Sequence, residues 1–97
     1  MQNFNVSYDK EFDDLFLFNP KEKSKGSIEI GDIIIDMNDK KEVVGVQIMN
    51  AIEFLRELAE EDLGLEYIKN EINGLKKCKV DFKVKKNLLL IKMYLFK

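Results

Sequence analysis

Histidine, threonine and tryptophan are absent from this sequence of 97 residues, and cysteine, arginine and proline each occur once. Histidine is the side chain that most often acts as a general base near neutral pH, and it is the commonest metal ligand. The three serines, Ser7, Ser24 and Ser27, do not stand in the sequence setting of a nucleophile elbow. These absences exclude Ser-His and Cys-His hydrolases, so we expect a protein that is not an enzyme and holds no cofactor or metal.

Two further shortages, of cysteine and of long apolar runs, bear on location. A lone cysteine can neither close an internal disulfide nor supply several thiolates to a metal, which fits a reducing compartment. Cys78 alternates with charged residues as Val80 and Phe82 do, which predicts a buried thiol on a strand. No apolar run approaches the roughly 18 residues that span a bilayer, and segment 1–14 is acidic where a signal peptide would be apolar. We therefore expect a cytoplasmic protein with no membrane segment.

The residues that are present describe a folded chain with a strongly solvated exterior, because 45% are hydrophobic and 35% are charged. A chain of this length has material for one core, so we predict a single domain over residues 1–97. Its hydrophobic period changes from two to about 3.6 and back to two. The predicted class is α+β: a mainly antiparallel β-meander sheet with one or two helices packed on one face and a C-terminal β-hairpin.

Four strands are predicted before the helical region. Gly31-Asp32 stands in the middle of the third and indicates a bulge or a sharp bend within it. Gly45 lies in the fourth, where it indicates a bulge or the close approach of another group. The predicted strands span 4–8, 15–18, 27–36 and 43–48.

Apolar residues three and four apart predict an amphipathic helix from Asn50 onward. Asn50 is the expected N-cap, and Glu53 has the spacing of a capping box. Gly64 interrupts the helical pattern and Gly74 stands near its end. Between residues 51 and 75 the pattern leaves open whether one bent helix or two helices form.

The C-terminal segment returns to strict alternation at 78–84, followed by a turn at Lys86-Asn87. Leu88–Phe96 is apolar on both faces apart from Lys92. A strand of this kind is either central in a sheet or half covered by another chain. The sequence predicts one of these two arrangements for the last strand.

Charge is divided along the chain. Residues 1–66 contain 7 basic and 16 acidic side chains, a net charge of −9, whereas residues 67–97 contain 9 basic and 2 acidic, a net charge of +7. The basic part can contact phosphates of nucleic acid, or its lysines can keep an edge strand from pairing with other chains. Arg56, the one arginine, lies in the acidic part, so the hairpin has no guanidinium for bidentate contacts. We favour the edge-protection interpretation.

Two acidic groups are candidates for cation binding or for paired-carboxylate chemistry. Neither has the glycine and distal glutamate of a calcium loop, so polar turns are the preferred interpretation. The first group is Asp9, Glu11, Asp13 and Asp14, and the second is Asp32, Asp36, Asn38, Asp39 and Glu42.

Three segments, 8–16, 31–36 and 43–51, carry in order a tyrosine-aspartate hairpin, a glycine-aspartate central strand and a closing strand. They resemble a small bacterial and archaeal family known as domain of unknown function 2283, although Gln47 stands where we expect a glutamate. The resemblance implies a β-rich small domain without established activity, and hairpin corners rather than catalytic dyads for the acidic turns. Some members are thought to accompany small toxin-like proteins, which implies an antitoxin-like binding role.

The function we predict is that of a noncatalytic protein-interaction domain that self-associates as a homo-oligomer. A different protein is a further candidate partner. The alternative, which we do not favour, is weak nucleic-acid binding through the lysine-rich hairpin. A carboxylate-dependent metal or hydrolytic site at the first acidic group is a third, less favoured hypothesis. The candidate interaction surface is formed by Lys79, Lys83, Lys85, Leu88, Leu90, Lys92, Tyr94 and Phe96.

Overall fold

The computed structural model describes residues 2–58, 64–85 and 88–96. These ranges form seven strands and two helices, which confirms the α+β class. In chain order the elements are β1 (Gln2–Asp9), β2 (Asp14–Phe18), β3 (Gly26–Ile30), β4 (Ile33–Met37), β5 (Val43–Ile48), α1 (Ala51–Leu58), α2 (Leu65–Gly74), β6 (Lys77–Lys85) and β7 (Leu88–Phe96). The turn predicted at Lys86-Asn87 and the acidic run 60–62 lie outside the described residues.

All seven strands belong to one antiparallel sheet in the order β3-β4-β5-β2-β1-β6-β7. Consecutive strands pair in β1–β2, β3–β4, β4–β5 and β6–β7, as a meander predicts. The pairings β2–β5 and β1–β6 instead join strands that are distant in the chain. The sheet is therefore a β3–β4–β5 meander and the β6–β7 hairpin joined through the β1–β2 hairpin, and β3 and β7 are its edges.

The core lies on one face of the sheet, under the two helices. Alternate residues of a strand point to the same face, so Phe4, Leu15, Leu17 and Ile48 meet the helices from β1, β2 and β5. The helices contribute Ala51, Ile52, Ile68 and Ile72 to the same cluster. Leu15, Ile48 and Ala51 are almost completely buried. The predicted packing of helices on one face is confirmed, and we call the opposite face the open face.

The single strand predicted over 27–36 is wrong, because the chain reverses inside it. Ile30 pairs with Ile33, so Gly31 and Asp32 form a two-residue hairpin turn between β3 and β4. Gly31 has φ +57°, a left-handed value that glycine adopts without steric cost. Glycine at the first of two turn positions is the requirement of a type II′ hairpin, whose twist matches the strands. The bend expected at Gly31 is therefore a complete hairpin turn.

The helical region contains two helices, which decides between the alternatives left open by the sequence. Gly64 precedes α2 in an extended conformation and its carbonyl accepts the first hydrogen bond, from the N–H of Ile68 at 3.1 Å. Gly74 is the last residue of α2, as predicted. The helices α1 and α2 contact each other over the core. Within the described ranges, neither helix is long and apolar enough to cross a membrane.

The last strand, β7, is an edge strand, so a central position for it is wrong. It pairs only with β6, over the whole span from Lys77–Phe96 to Lys85–Leu88. The inner strand β1 pairs with β6 only from Lys77 to Val80. Among the described residues, the remainder of the β6–β7 hairpin, residues 81–85 and 88–92, therefore pairs with no other strand. We call this part of the hairpin the arm.

Candidate interaction surface

The eight residues of the predicted interaction surface all lie on the β6–β7 hairpin. Backbone register pairs Lys79 with Tyr94, Lys83 with Leu90, and Lys85 with Leu88. Lys92 pairs with Asp81, and Phe96 pairs with Lys77. The hairpin thus brings the members of the surface into cross-strand pairs, and five of the eight belong to the edge strand β7 itself.

The side chains of Lys79, Lys92 and Tyr94 are exposed on the open face. Register and alternation place Lys77, Lys79 and Asp81 on the face opposite Cys78, which is buried. Tyr94 keeps 44% of its surface exposed, a large value for an aromatic side chain. Because Asn5 pairs with Lys77 and Asn3 pairs with Lys79, the lysines continue into a polar stripe on β1. This part of the open face is basic, polar and aromatic.

The predicted burial of Cys78 is confirmed, since only 1% of its surface is exposed. It packs in the core with Phe4, its partner across the β1–β6 pair. Burial raises the pKa of the Cys78 thiol, while a backbone hydrogen bond from Tyr94 acts in the opposite direction. The thiol therefore behaves as a small core side chain rather than as a nucleophile.

The first acidic group forms the corner of the β1–β2 hairpin, as the polar-turn interpretation predicts. Oδ1 of Asp9 accepts hydrogen bonds from the N–H groups of Glu11 at 3.0 Å and Phe12 at 3.3 Å, which is an Asx turn. Asp14 pairs across the hairpin with Asp9. Among the described residues, no group of three or more acidic, cysteine or histidine side chains is arranged to hold a metal.

Asp13 has a role that sequence reasoning assigned to another residue. Its carboxylate accepts a hydrogen bond from the N–H of Ile52 at 3.3 Å, and its backbone carbonyl accepts one from Ala51 at 3.1 Å. Asp13 therefore caps α1 from a position 39 residues away in the chain. Asn50 is the residue directly before α1, as predicted, and its carbonyl accepts a hydrogen bond from the N–H of Phe54. Its backbone adopts φ +52°, and the side chain that caps the helix is that of Asp13 instead.

The capping-box role predicted for Glu53 is wrong. Its carboxylate accepts from Arg56 Nη1 at 2.8 Å, one helical turn away. Both side chains are substantially exposed, so the ion pair contributes little to stability. The chain's single guanidinium is nevertheless engaged within α1.

The second acidic group divides into three parts, the first of which is Asp32 in the β3–β4 turn. Asn38, with 7% of its surface exposed, organises the β4–β5 turn: its Oδ1 accepts from Lys40 and Glu42 N–H groups at 2.9 and 3.0 Å, and its Nδ2 donates to Glu42 Oε1 at 3.0 Å. Asp36 lies on the open face, where its Oδ1 accepts from Ser27 Oγ at 2.5 Å. The group is therefore spread over two turns and a separate half-buried carboxylate.

Asp36 belongs to a row of residues that crosses the open face. Register pairs Ser27 with Asp36, Asp36 with Gly45, Gly45 with Phe18, and Phe18 with Asn5. A Cβ atom on Gly45 would lie 3.0 Å from Oδ2 of Asp36, so the close approach predicted at Gly45 is confirmed. Two cavities of about 290 and 340 Å³ adjoin this point, and Phe18 and Asp36 line both.

The sequence comparisons identify a family and a relative of this chain. The model of a family described as "Protein of unknown function (DUF2283)" matches residues 5–51. An uncharacterised protein of the archaeon Methanocaldococcus jannaschii is 34% identical over 94 residues, an alignment that covers 95% of this chain and 73% of that protein. The chain belongs to the DUF2283 family. No solved structure is significantly similar to it.

The DUF2283 match has a clear structural correspondence. Residues 5–51 contain most of β1 and all of β2 to β5, including the Asp13 cap and the Asp36–Gly45–Phe18 row. The β6–β7 hairpin lies outside the matched segment, but the alignment with the archaeal relative includes most of it. The family resemblance seen in three sequence segments is confirmed, and the sequence similarity to the relative extends beyond the segment that the family model matches.

Proposed function

We propose that this DUF2283 protein is a noncatalytic interaction domain that self-associates through the edge of β7. The observation that carries the proposal is the position of β7: a nine-residue strand, apolar on both faces in sequence, forms the outermost strand of the sheet. An edge strand presents a row of backbone N–H and C=O groups to any strand that pairs with it. Two β7 strands related by a two-fold axis satisfy each other's outer groups.

The arm supports the same proposal. Its two strands pair with each other and with no further strand of the described part of the chain, and a two-stranded hairpin is only marginally stable in water. In sequence the arm contains the apolar residues Phe82, Val84, Leu89 and Ile91. Burial of apolar surface is the main favourable term in association, so apolar residues at this edge of the sheet favour contact with a second copy.

An antitoxin-like role is the finer form of the proposal, in which the β7 edge binds a small toxin-like protein. Addition of a strand to an exposed sheet edge is a common mode of polypeptide recognition. Purification of the tagged protein from its native organism, followed by identification of bound chains, tests this form. A small partner that is released by substitution within β7 supports it, whereas recovery of the protein alone counts against it.

Sedimentation across a range of concentrations tests self-association directly. We expect a dimer at high micromolar concentration, and we expect Leu90→Lys on β7 to shift it to a monomer. Ile30→Lys is the matched control, because Ile30 ends the other edge strand, β3, and is 59% exposed. Circular dichroism confirms that both variants remain folded.

Two results would contradict the proposal. One is a monomer at every concentration reached. The other is a dimer that survives Leu90→Lys and dissociates on Ile30→Lys, which would place the interface at β3. Both outcomes are distinguishable in the same experiment because the two variants introduce the same charge at opposite edges.

The stripe of Lys77, Lys79, Lys92 and Tyr94 on the open face favours nucleic-acid binding as a second candidate function. Lysines attract phosphates, and an exposed aromatic ring offers a surface on which an unpaired base stacks. Single- and double-stranded oligonucleotides titrated at about 50 mM salt test it, since phosphate contacts weaken steeply as salt rises. We expect Lys79→Glu to abolish this binding and Lys21→Glu, on the loop before β3, to leave it unchanged. Absence of binding at low salt eliminates this candidate.

A further inference from the structure

The side chain of Asp36 leans over Gly45 in the row across the open face, since a Cβ atom at position 45 would lie 3.0 Å from Oδ2 of Asp36. Adjacent strands lie about 4.8 Å apart, so the backbones at Asp36 on β4 and Phe18 on β2 are separated by roughly 10 Å, with β5 between them. A larger residue at position 45 would collide with the Asp36 carboxylate, and glycine avoids that collision. Asp36 and Phe18 both line the two cavities beside Gly45, and we call the space between these two side chains the slot.

The lining of the slot defines the chemistry that fits it. Phe18 keeps 39% of its surface exposed, so its ring is accessible to a flat ligand. Asp36 uses Oδ1 to accept from Ser27, while Oδ2 lies over Gly45. Among the described residues that line the two adjoining cavities, the charged ones are Asp36 and Glu22, both acidic. The site therefore combines a π face with negative charge.

We infer that the slot binds the guanidinium group of an arginine side chain from a partner polypeptide. A guanidinium is planar and cationic, stacks on aromatic rings and donates hydrogen bonds to carboxylates. An ammonium group is not planar, so it does not stack on an aromatic ring as a guanidinium does. It also lacks the fixed fork of N–H donors that a guanidinium can direct at the Asp36 carboxylate and at the amide of Gln47, which lines the cavity of about 290 Å³. An anion is repelled by both carboxylates.

The shape of the groove indicates a polypeptide as the source of the guanidinium. The two cavities extend along β5 in both directions from Gly45, one toward Gln47 and the other toward Asn19 and Glu22. An extended chain can therefore cross the slot and leave it at either end. The protein's own arginine is paired with Glu53 on α1, on the opposite side of the sheet, so the ligand belongs to another protein. This site is separated from β7 by β1 and β6 and does not depend on self-association.

Nuclear magnetic resonance titration with short peptides tests the inference. The probe is an acetylated and amidated Gly-Ser-Arg-Ser-Gly peptide, and the comparison peptides carry citrulline or lysine in place of arginine. We expect saturable shifts of the backbone amides of Phe18, Gly45 and Gln47 with the arginine peptide. Citrulline has the same shape without the charge and should bind at least about tenfold more weakly, because charge-assisted hydrogen bonds are roughly twice as strong as neutral ones.

Substitutions in the slot provide the second arm of the experiment. We expect Asp36→Asn to weaken binding of the arginine peptide about tenfold and Phe18→Leu to weaken it severalfold. Asp39→Asn is the matched control, since it removes the same charge from the exposed β4–β5 turn and should leave binding unchanged. If Asp36→Asn disturbs the fold, seen as loss of dispersed amide signals, Phe18→Leu decides the question because its ring is partly exposed.

The inference is overturned if the citrulline peptide binds as tightly as the arginine peptide, or if shifts are absent at about 10 mM peptide, the weakest affinity worth assigning to a site. Equal binding by the Asp36→Asn variant overturns it as well. If free acetyl-arginine amide binds in the slot and the peptide does not, a polypeptide source is wrong. None of these outcomes depends on whether the protein self-associates through β7, so failure of this inference and failure of the proposed function are distinguishable.

Discussion

The hydroxyl of Tyr8 donates a 2.6 Å hydrogen bond to Oδ1 of Asp13, and the same carboxylate accepts the N–H of Ile52 at the start of α1. One aspartate thus joins the first strand, the hairpin corner and the first helix. Asp13 reaches both groups because its backbone adopts the left-handed conformation, with φ +55°. The Asp13 carboxylate fixes the start of α1 over the sheet, so we expect its loss to destabilise the packing of α1 on the core.

We expect Asp13→Ala to lower the free energy of unfolding by about 1–2 kcal/mol, the usual cost of removing a helix N-cap. Alanine also tolerates the left-handed conformation poorly. Asp13→Asn should cost less, because asparagine keeps an acceptor oxygen and adopts positive φ more readily than alanine. Urea denaturation measures both variants, with Glu11→Ala on the same turn as the control. Equal stability of Asp13→Ala and wild type would rule out the cap.

Stability should fall at high pH through Tyr8. Burial, followed by the hydrogen bond and charge of Asp13, raises the pKa of the Tyr8 hydroxyl well above its ordinary value of 10. The folded state therefore keeps a proton that the unfolded state loses, so the contribution is complete below about pH 10 and declines as pH rises above it. Urea denaturation at pH 8 and above pH 10 should show a smaller decline for Tyr8→Phe than for wild type. Parallel declines in the two proteins would contradict this assignment.

The β4–β5 turn should depend on Asn38. Asn38→Ala leaves the N–H groups of Lys40 and Glu42 without their side-chain acceptor, and we expect a loss of about 2 kcal/mol. Asn38→Asp keeps that acceptor but replaces the Nδ2 donor with a carboxylate oxygen against Oε1 of Glu42, so we expect it to recover only part of the loss. Thermal and urea unfolding measure these effects, and Asp39→Ala is the exposed control. A loss as small as that of the control would show that water replaces the turn's hydrogen bonds.

Gly45 and Asp36 should be coupled in a double-mutant cycle. A Cβ on residue 45 meets Oδ2 of Asp36 at 3.0 Å, and Asp36 cannot move without disturbing its hydrogen bond to Ser27. We expect Gly45→Ala to destabilise the wild type by about 1 kcal/mol, an overpacking effect. In an Asp36→Ala background the same change should be neutral or stabilising, because alanine is less flexible than glycine in the unfolded chain. Additive effects would exclude the close contact.

Local patterns in the sequence were sufficient for the strands whose alternation is regular. Phe4 and Cys78 lie in the core because each occupies the apolar position of an alternating segment. The β3–β4 hairpin was also within reach, since Gly-Asp between two β-prone runs is a hairpin signal. The pattern nevertheless predicts one strand over 27–36, because each of the two β-prone runs is only five residues long.

The features that were not predicted depend on contacts between distant parts of the chain. The cap from Asp13 to Ile52 spans 39 positions. Nothing in the sequence near Asn50 indicates that a distant side chain caps the helix. The sheet order also depends on the pairing of β5 with β2, two strands that are distant in the chain. Local periodicity does not specify which strands pair. The slot between Phe18 and Asp36 depends on the register of three strands at once, so it became visible only in the folded structure.

The other edge strand, β3, limits how far assembly can proceed. A dimer joined at β7 would have a β3 strand at each end, only five residues long and exposed throughout. Lys21, Lys23 and Lys25 stand immediately before it, and like charges of this kind oppose the joining of two such ends. The two edges thus differ in length and charge, and the expected product is a closed pair of chains with a fixed stoichiometry of two instead of a growing fibre.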